Sequence, residues 1–298
     1  MEGRQPSFGV LGEDLGVSRL LALLLVAALA LTGCSGDDEP KADPTPSATP
    51  TPAAPPTAAP PPARPKRLEC RRIDFDAALA PTGDQKVVPC KTLHTAQTYA
   101  VGQLRTSVDG HLVAVDSERV QQQVARVCPR KLAGFLGTTD DALRLTMLRA
   151  VWFTPSVEES DAGANWYRCD ALAVAGDDRL AKVRGSLEDA LKDDAGLDGY
   201  GMCGTAAPDA PSFSRVLRRE EHSWRAIQIV ELKGKSYPGE NRVRAAGQGP
   251  CEDAGREVAE DALDYEWGYE WPTADQWAAG QTYGRCWAPE ASQSSDDQ

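Results

Sequence analysis

A chain of 298 residues, 41% of them hydrophobic, is long enough for two ordinary domains but gives them lean apolar cores. Its formal net charge of −12 excludes the basic surface that holds phosphate backbones, so nucleic acid is not an expected partner. Anionic lipid headgroups would repel the same surface, so membrane attachment has to be covalent or mediated by a partner.

In chain order, Arg19 is followed by twelve apolar residues, Leu20 to Leu31. A bilayer span needs ~20 such residues, so the run suits the core of a signal peptide instead. It ends in Leu31-Thr32-Gly33-Cys34, which resembles a bacterial lipobox. The resemblance implies that residues 1–33 are a lipoprotein signal peptide and that Cys34 becomes the mature N terminus, carrying a diacylglyceryl thioether. Two acyl chains meet the requirement for more than one lipid in a stable anchor. The expected location is extracytoplasmic, on the outer face of the cell membrane. Residues 34–66 are rich in Pro, Thr and Ala, with no aromatic or β-branched aliphatic side chain to bury, and read as a disordered linker. At ~3.1 Å per residue in polyproline II it could reach on the order of 90 Å.

Beyond the linker one order of landmarks is written twice. Pro155, Gly163, Arg168 and Cys169 match Pro272, Gly280, Arg285 and Cys286 without a gap. Val120 lies eight residues before Cys128 and Val243 eight before Cys251, while His94 and His222 occupy matching places upstream. The pattern predicts two tandem repeats, residues 67–180 and 198–290. Each is expected to be a disulfide-braced α+β unit: strand, strand, helix, strand, strand, with a small antiparallel sheet and one main helix.

In the first repeat, Asp76 to Lys86 reads as a loop and Thr95–Leu104 as a strand. Asp116-Ser117 caps a helix with Val120, Val124, Val127 and Cys128 on one face, closed or kinked at Pro129. Leu143–Phe153 and Trp166–Val174 complete the sheet. In the second, Trp224–Leu232 and Tyr265–Trp271 read as strands. Gly247, Gly249 and Pro250 make Arg242–Cys251 a poor helix, so Cys251–Leu263 is the better helical pattern.

With Cys34 lipidated, seven cysteines remain. Cys90 stands four residues before His94, whereas Arg218 stands four before His222, so the second repeat has lost one cysteine. The expected bridges in an exported chain are Cys70–Cys90, Cys128–Cys169 and Cys251–Cys286, leaving Cys203 unpaired. Other connectivities, Cys70–Cys203 among them, stay open from sequence.

No acidic or nucleophilic partner recurs beside His94 and His222, so both read as structural histidines; a hydrolase using either one is the alternative. Cys90-x-x-x-His94 is half of a zinc pattern that Arg218 interrupts in the second copy, and no metal, cofactor or catalytic residue is expected. Tyr265, Trp267, Tyr269 and Trp271 recur at every second position. They form either one core face of a strand or a platform for sugar or peptide, with Glu266 and Glu270 placing charge on the opposite face. Arg168 and Arg285 are expected in ion pairs within their own repeats. Asp177-Asp178 and Asp193-Asp194 read as loop charges, since they lack the spacing of a calcium loop.

The arrangement resembles the actinobacterial septum formation-related domain family. The resemblance rests on Cys70, Cys90, His94, Cys128, Trp152, Pro155, Gly163, Arg168 and Cys169, then on Cys203, His222, Cys251, Trp271, Pro272, Gly280, Arg285 and Cys286. It implies an exported, membrane-linked protein with a part in septation or envelope biology, and it brings no catalytic residues with it. Together with the leader, the reading is a lipid-anchored binding protein that meets another envelope protein or wall polymer. A solute- or wall-polymer-binding lipoprotein is the remaining alternative.

Overall fold

A computed structural model describes residues 63–83 and 85–290. The signal segment, Cys34 and the linker up to residue 62 lie outside the described residues. The chain opens with β1 (Cys70–Arg71), α1 (Phe75–Leu79), β2 (Val87–Val88), β3 (Ala96–Gln103) and a small hairpin, β4 (Ser107–Val108) with β5 (His111–Leu112). Helices α2 (Glu118–Leu136) and α3 (Asp140–Arg144) lead to β6 (Leu148–Phe153), α4 (Val157–Asp161), β7 (Trp166–Gly176) and β8 (Arg179–Leu180). The second half runs α5 (Asp194–Tyr200), β9 (Met202–Gly204), β10 (Arg215–Leu217), β11 (Trp224–Glu231), α6 (Glu240–Val258), β12 (Gly268–Glu270), α7 (Ala274–Ala278) and β13 (Tyr283–Pro289).

These elements make an α+β fold with two antiparallel sheets of one strand order. The first runs β2-β1-β3-β7-β6, with β8 beside β7; the second runs β10-β9-β11-β13-β12. Each long central pair slips register once, between Thr98 and Ala100 in β3 and between Ala226 and Gln228 in β11. Thr98 and Ala226 each lie four residues after their histidine, so the irregularity falls at the same step of both sheets.

The twice-written motif has a local cause. Ser156 and Thr273, each preceded by Pro, cap α4 and α7 through reciprocal capping boxes with Glu159 and Gln276. Gly163 at φ 100° and Gly280 at φ 98° then reverse the chain in the left-handed region, where a Cβ is disfavoured. Five residues later Arg168-Cys169 and Arg285-Cys286 lie in β7 and β13, with each cysteine facing the main helix of its half. The disulfides are Cys70–Cys90, Cys128–Cys169 and Cys251–Cys286, and Cys203 is a buried free thiol.

Both main helices run through their prolines. Helix α2 passes Pro129 and ends only at Gly137, whose φ is 76°. An interior proline costs about 3 kcal/mol. Burying Leu132, Phe135 and Leu136 beyond it returns roughly 1.5–3 kcal/mol for each side chain, so the helix continues. Helix α6 spans Glu240–Val258 through Pro250 rather than running from Cys251 to Leu263. Its glycines are contact residues: a Cβ at Gly247 would stand 2.1 Å from the Tyr269 ring, and one at Gly255 would stand 2.6 Å from Cβ of Trp267.

Three further expectations are corrected. The loop from Asp76 to Lys86 contains most of α1, capped by Asp74. The strand expected from Leu143 begins at Leu148, because the Thr139 cap folds Asp140–Arg144 into α3. Tyr265–Trp271 narrows to the three residues of β12.

All described elements belong to one compact unit. One apolar core lies between α2 and the first sheet and takes in Met202, Leu217 and Trp287 from the second half; another lies between α6 and the second sheet. The second sheet is therefore covered on both faces. Backbone bonds stitch the halves together, Met147 N–H to the Tyr200 carbonyl and Met202 N–H to that of Leu145, both at 2.8 Å.

Candidate functional site

Each sheet carries a buried polar cluster on the face away from its own helix. In the first, Arg71 Nη1 donates to Thr98 Oγ1, Thr98 Oγ1 donates to Asp170 Oδ1, and Arg168 Nε donates to Asp170 Oδ2, at 2.7, 2.7 and 3.1 Å. Asp170 is 0% exposed. Burial pushes its carboxyl up, against the pull of Arg168. In the second sheet Arg285 lies 3.7 Å from Glu270, which Arg215 also binds. Glu270 is thus buried and ion-paired, not part of a charged outer surface; the packing of the first half over this face put it there. Burial, then the neighbouring guanidiniums, lowers Arg215 to about 9, and burial with Arg285 lowers Arg149 to about 10. Charges held this way are costly to separate.

The aromatic series turns toward α6. Tyr269 is buried in the second core, and Trp267 and Trp271 pack partly buried against it. The Tyr265 hydroxyl accepts from Arg256 at 2.7 Å, and Arg244 lies over the Trp271 ring. Asp193 caps α5, and Asp177 accepts from the Ser214 hydroxyl.

The two histidines have different surroundings. His94 is fully buried at the start of β3, its Nε2 2.8 Å from the Gly185 carbonyl, and its corner is closed by Cys70–Cys90. His222 sits at the equivalent entry to β11, only 8% exposed, with Nδ1 2.7 Å from the Glu220 carbonyl. A carbonyl can only accept, so Nδ1 carries the proton there. That leaves Nε2 pointing at Glu290 Oε2, 3.7 Å away. Cys203 completes the corner: its Sγ, a ring nitrogen of His222 and a carboxylate oxygen of Glu290 all lie within 4.8 Å of one another.

Arg218, in the place of the missing cysteine, donates from Nη2 to Glu290 Oε1 at 2.7 Å, and Arg225 Nε stands 3.4 Å from the same oxygen. Glu290 Oε2 is buried with no hydrogen-bond partner. Burial, then the charge of Glu290, pushes the Cys203 thiol up to about 12, so it is a poor nucleophile as it stands. Cys203, Arg218 and Arg225 line a cavity of about 300 Å³ shared with Leu197, Asp198 and Met202. Sequence reasoning identified Cys203 as partnerless and His222 as repeated, but it missed Glu290. The usable signal was Arg218, a charge where a cysteine should stand.

A model of the septum formation family matches residues 69–286, most of the chain, and the protein belongs to that family. Family membership associates it with septum formation or cell division. Neither a curated protein nor a solved structure gives a match.

Proposed function

We propose that this septum formation family member is a lipid-anchored, extracytoplasmic interaction protein. Cys34 would carry the lipid, residues 34–66 would act as spacer, and the two sheet-and-helix halves would present a binding surface to an envelope protein or wall polymer during septation. The observation that carries this reading is the set of three disulfides downstream of the lipobox-like Cys34, because disulfides persist in oxidising, extracytoplasmic compartments. Binding rather than catalysis is supported by the state of the histidines. His94 is buried and engaged by a backbone carbonyl, and the thiol beside His222 is held protonated. Among the described residues no helix is long and apolar enough to cross a membrane.

The test is Cys34→Ala in cells. It should leave the protein unlipidated and out of the mature membrane-bound pool, and a fluorescent fusion of the wild type should concentrate at division sites. Unchanged membrane retention of the variant would overturn the lipid anchor. An even distribution with no division-site enrichment, and no division partner captured by cross-linking, would overturn the septal role.

A further inference from the structure

The Cys203 corner holds a chemical mismatch. With Nδ1–H committed to Glu220, His222 Nε2 presents a lone pair, and it faces Glu290 Oε2, which is also an acceptor. The one thiol proton of Cys203 can satisfy only one of the two. Every other described cysteine is in a disulfide, yet this one keeps its thiol in the same oxidised fold. A soft sulfur, an imidazole nitrogen and the one carboxylate oxygen that Arg218 and Arg225 leave without a hydrogen bond form the donor set of a zinc-type cation.

We propose that Cys203 Sγ, His222 Nε2 and Glu290 Oε2 bind one zinc-type divalent cation, which braces the second half where Cys70–Cys90 braces the first. The distances suit it. Bonds of ~2.0–2.3 Å at tetrahedral angles place ligand atoms about 3.3–3.7 Å apart, and the His222–Glu290 separation is already 3.7 Å. Small side-chain rotations bring in the sulfur, since one ligand atom from each of the three residues already lies within 4.8 Å of the other two. The outer contacts are in place as well. The Glu220 carbonyl fixes the histidine tautomer, and Arg218 with Arg225 holds Oε1 so that Oε2 is the free donor. Binding forms the Sγ–metal bond and releases the thiol proton to water. Because a proton is released, binding strengthens as pH rises. Three protein ligands leave a fourth position for water.

The ligands come from three places: β9, the turn entering β11, and the residue after β13. A cation here ties the three together as a disulfide ties two. Calcium and magnesium are poor occupants, because both favour all-oxygen sites.

The test is cobalt(II) titration of the full-length chain, purified with its disulfides intact and Cys203 reduced. A sulfur-to-cobalt charge-transfer band should appear at one equivalent and be displaced by zinc. Cys203→Ser should abolish the band, and His222→Gln and Glu290→Gln should each weaken binding by more than the ~10–100-fold cost of losing an outer-shell partner. His111→Gln, at the exposed third histidine, should change nothing. Should Cys203→Ser or His222→Gln fail to fold, Glu290→Gln decides, because zinc should raise the melting temperature of the wild type and not of this variant. The proposal is overturned by absence of the band in folded wild type, by a band that survives Cys203→Ser, by unweakened binding in Glu290→Gln, or by loss through His111→Gln.

Discussion

The entry corners of the two sheets begin from one plan and end differently. In the first, Cys70 on β1 is bonded to Cys90, four residues ahead of His94, and the histidine is left with a backbone carbonyl. In the second, Cys203 lies at the same place on β9, opposite Val216 as Cys70 lies opposite Val88, but Arg218 replaces its partner. Arg218 turns to Glu290, and Glu290 turns its other oxygen to His222. Loss of one covalent brace thus left a thiol, an imidazole and a carboxylate gathered in one place. An identical strand order need not carry an identical site, and the chemistry changed where a cross-link was missing.

The comparison can be broken first at its charged layers. Asp170→Ala removes the ion-pair partner of buried Arg168 in the first sheet, while Arg71 keeps Glu69, and should cost about 3–5 kcal/mol in urea denaturation. A loss below 1 kcal/mol would mean that the cluster is solvated in solution. Next come the braces. Replacing both Cys70 and Cys90 with serine should remove about 3 kcal/mol from the first corner, as expected for a 20-residue separation, while chelation should destabilise zinc-loaded wild type through the second corner alone. A chelator effect that persists in His222→Gln would place the cation elsewhere.

Gly247→Ala is a packing test confined to the second half. Its methyl group would overlap the Tyr269 ring, so a loss of about 1–3 kcal/mol is expected, whereas Gly134→Ala on α2 meets nothing and should be neutral or better. The smallest effect is a pH dependence. Burial, then Asp170, raises the Tyr99 phenol above its ordinary value, and its hydroxyl donates to the Cys128 carbonyl. The folded state therefore holds this proton after the unfolded chain has lost it. Its contribution is complete below pH ~10 and falls by up to about 1.4 kcal/mol per pH unit above that. Tyr99→Phe should cost about 1 kcal/mol at pH 7, and its deficit should shrink as pH rises past 10.

Much of the architecture was legible because it rests on local chemistry. The repeated spacing of Pro, Gly and Arg-Cys was read as a repeat, and near-neighbour features underlie it: a capped short helix after each Pro, a left-handed glycine and an Arg-Cys step in a strand. The cysteine pairs expected from the same repetition are the ones formed, although sequence alone left Cys70–Cys203 open. The extents of the helices did not, because Pro129, Gly247 and Pro250 carry local penalties that burial of Leu132, Phe135 and Leu136, and of Tyr269 and Trp267 against α6, outweighs. Glu270 was assigned to an outer face since nothing in its own strand reveals that the first half covers it. Glu290 was invisible for a related reason. It follows β13 with no motif around it, and its meaning depends on Cys203 and His222, 87 and 68 residues away along the chain.

The most direct measurement is an anomalous difference map recorded at the zinc edge from crystals of the protein equilibrated with zinc. A single strong peak should lie bonded to Cys203 Sγ, His222 Nε2 and Glu290 Oε2, with the Cys70–Cys90 corner empty. Thiol and imidazole density at normal contact distance with no peak between them, or a peak at His111 alone, would contradict it.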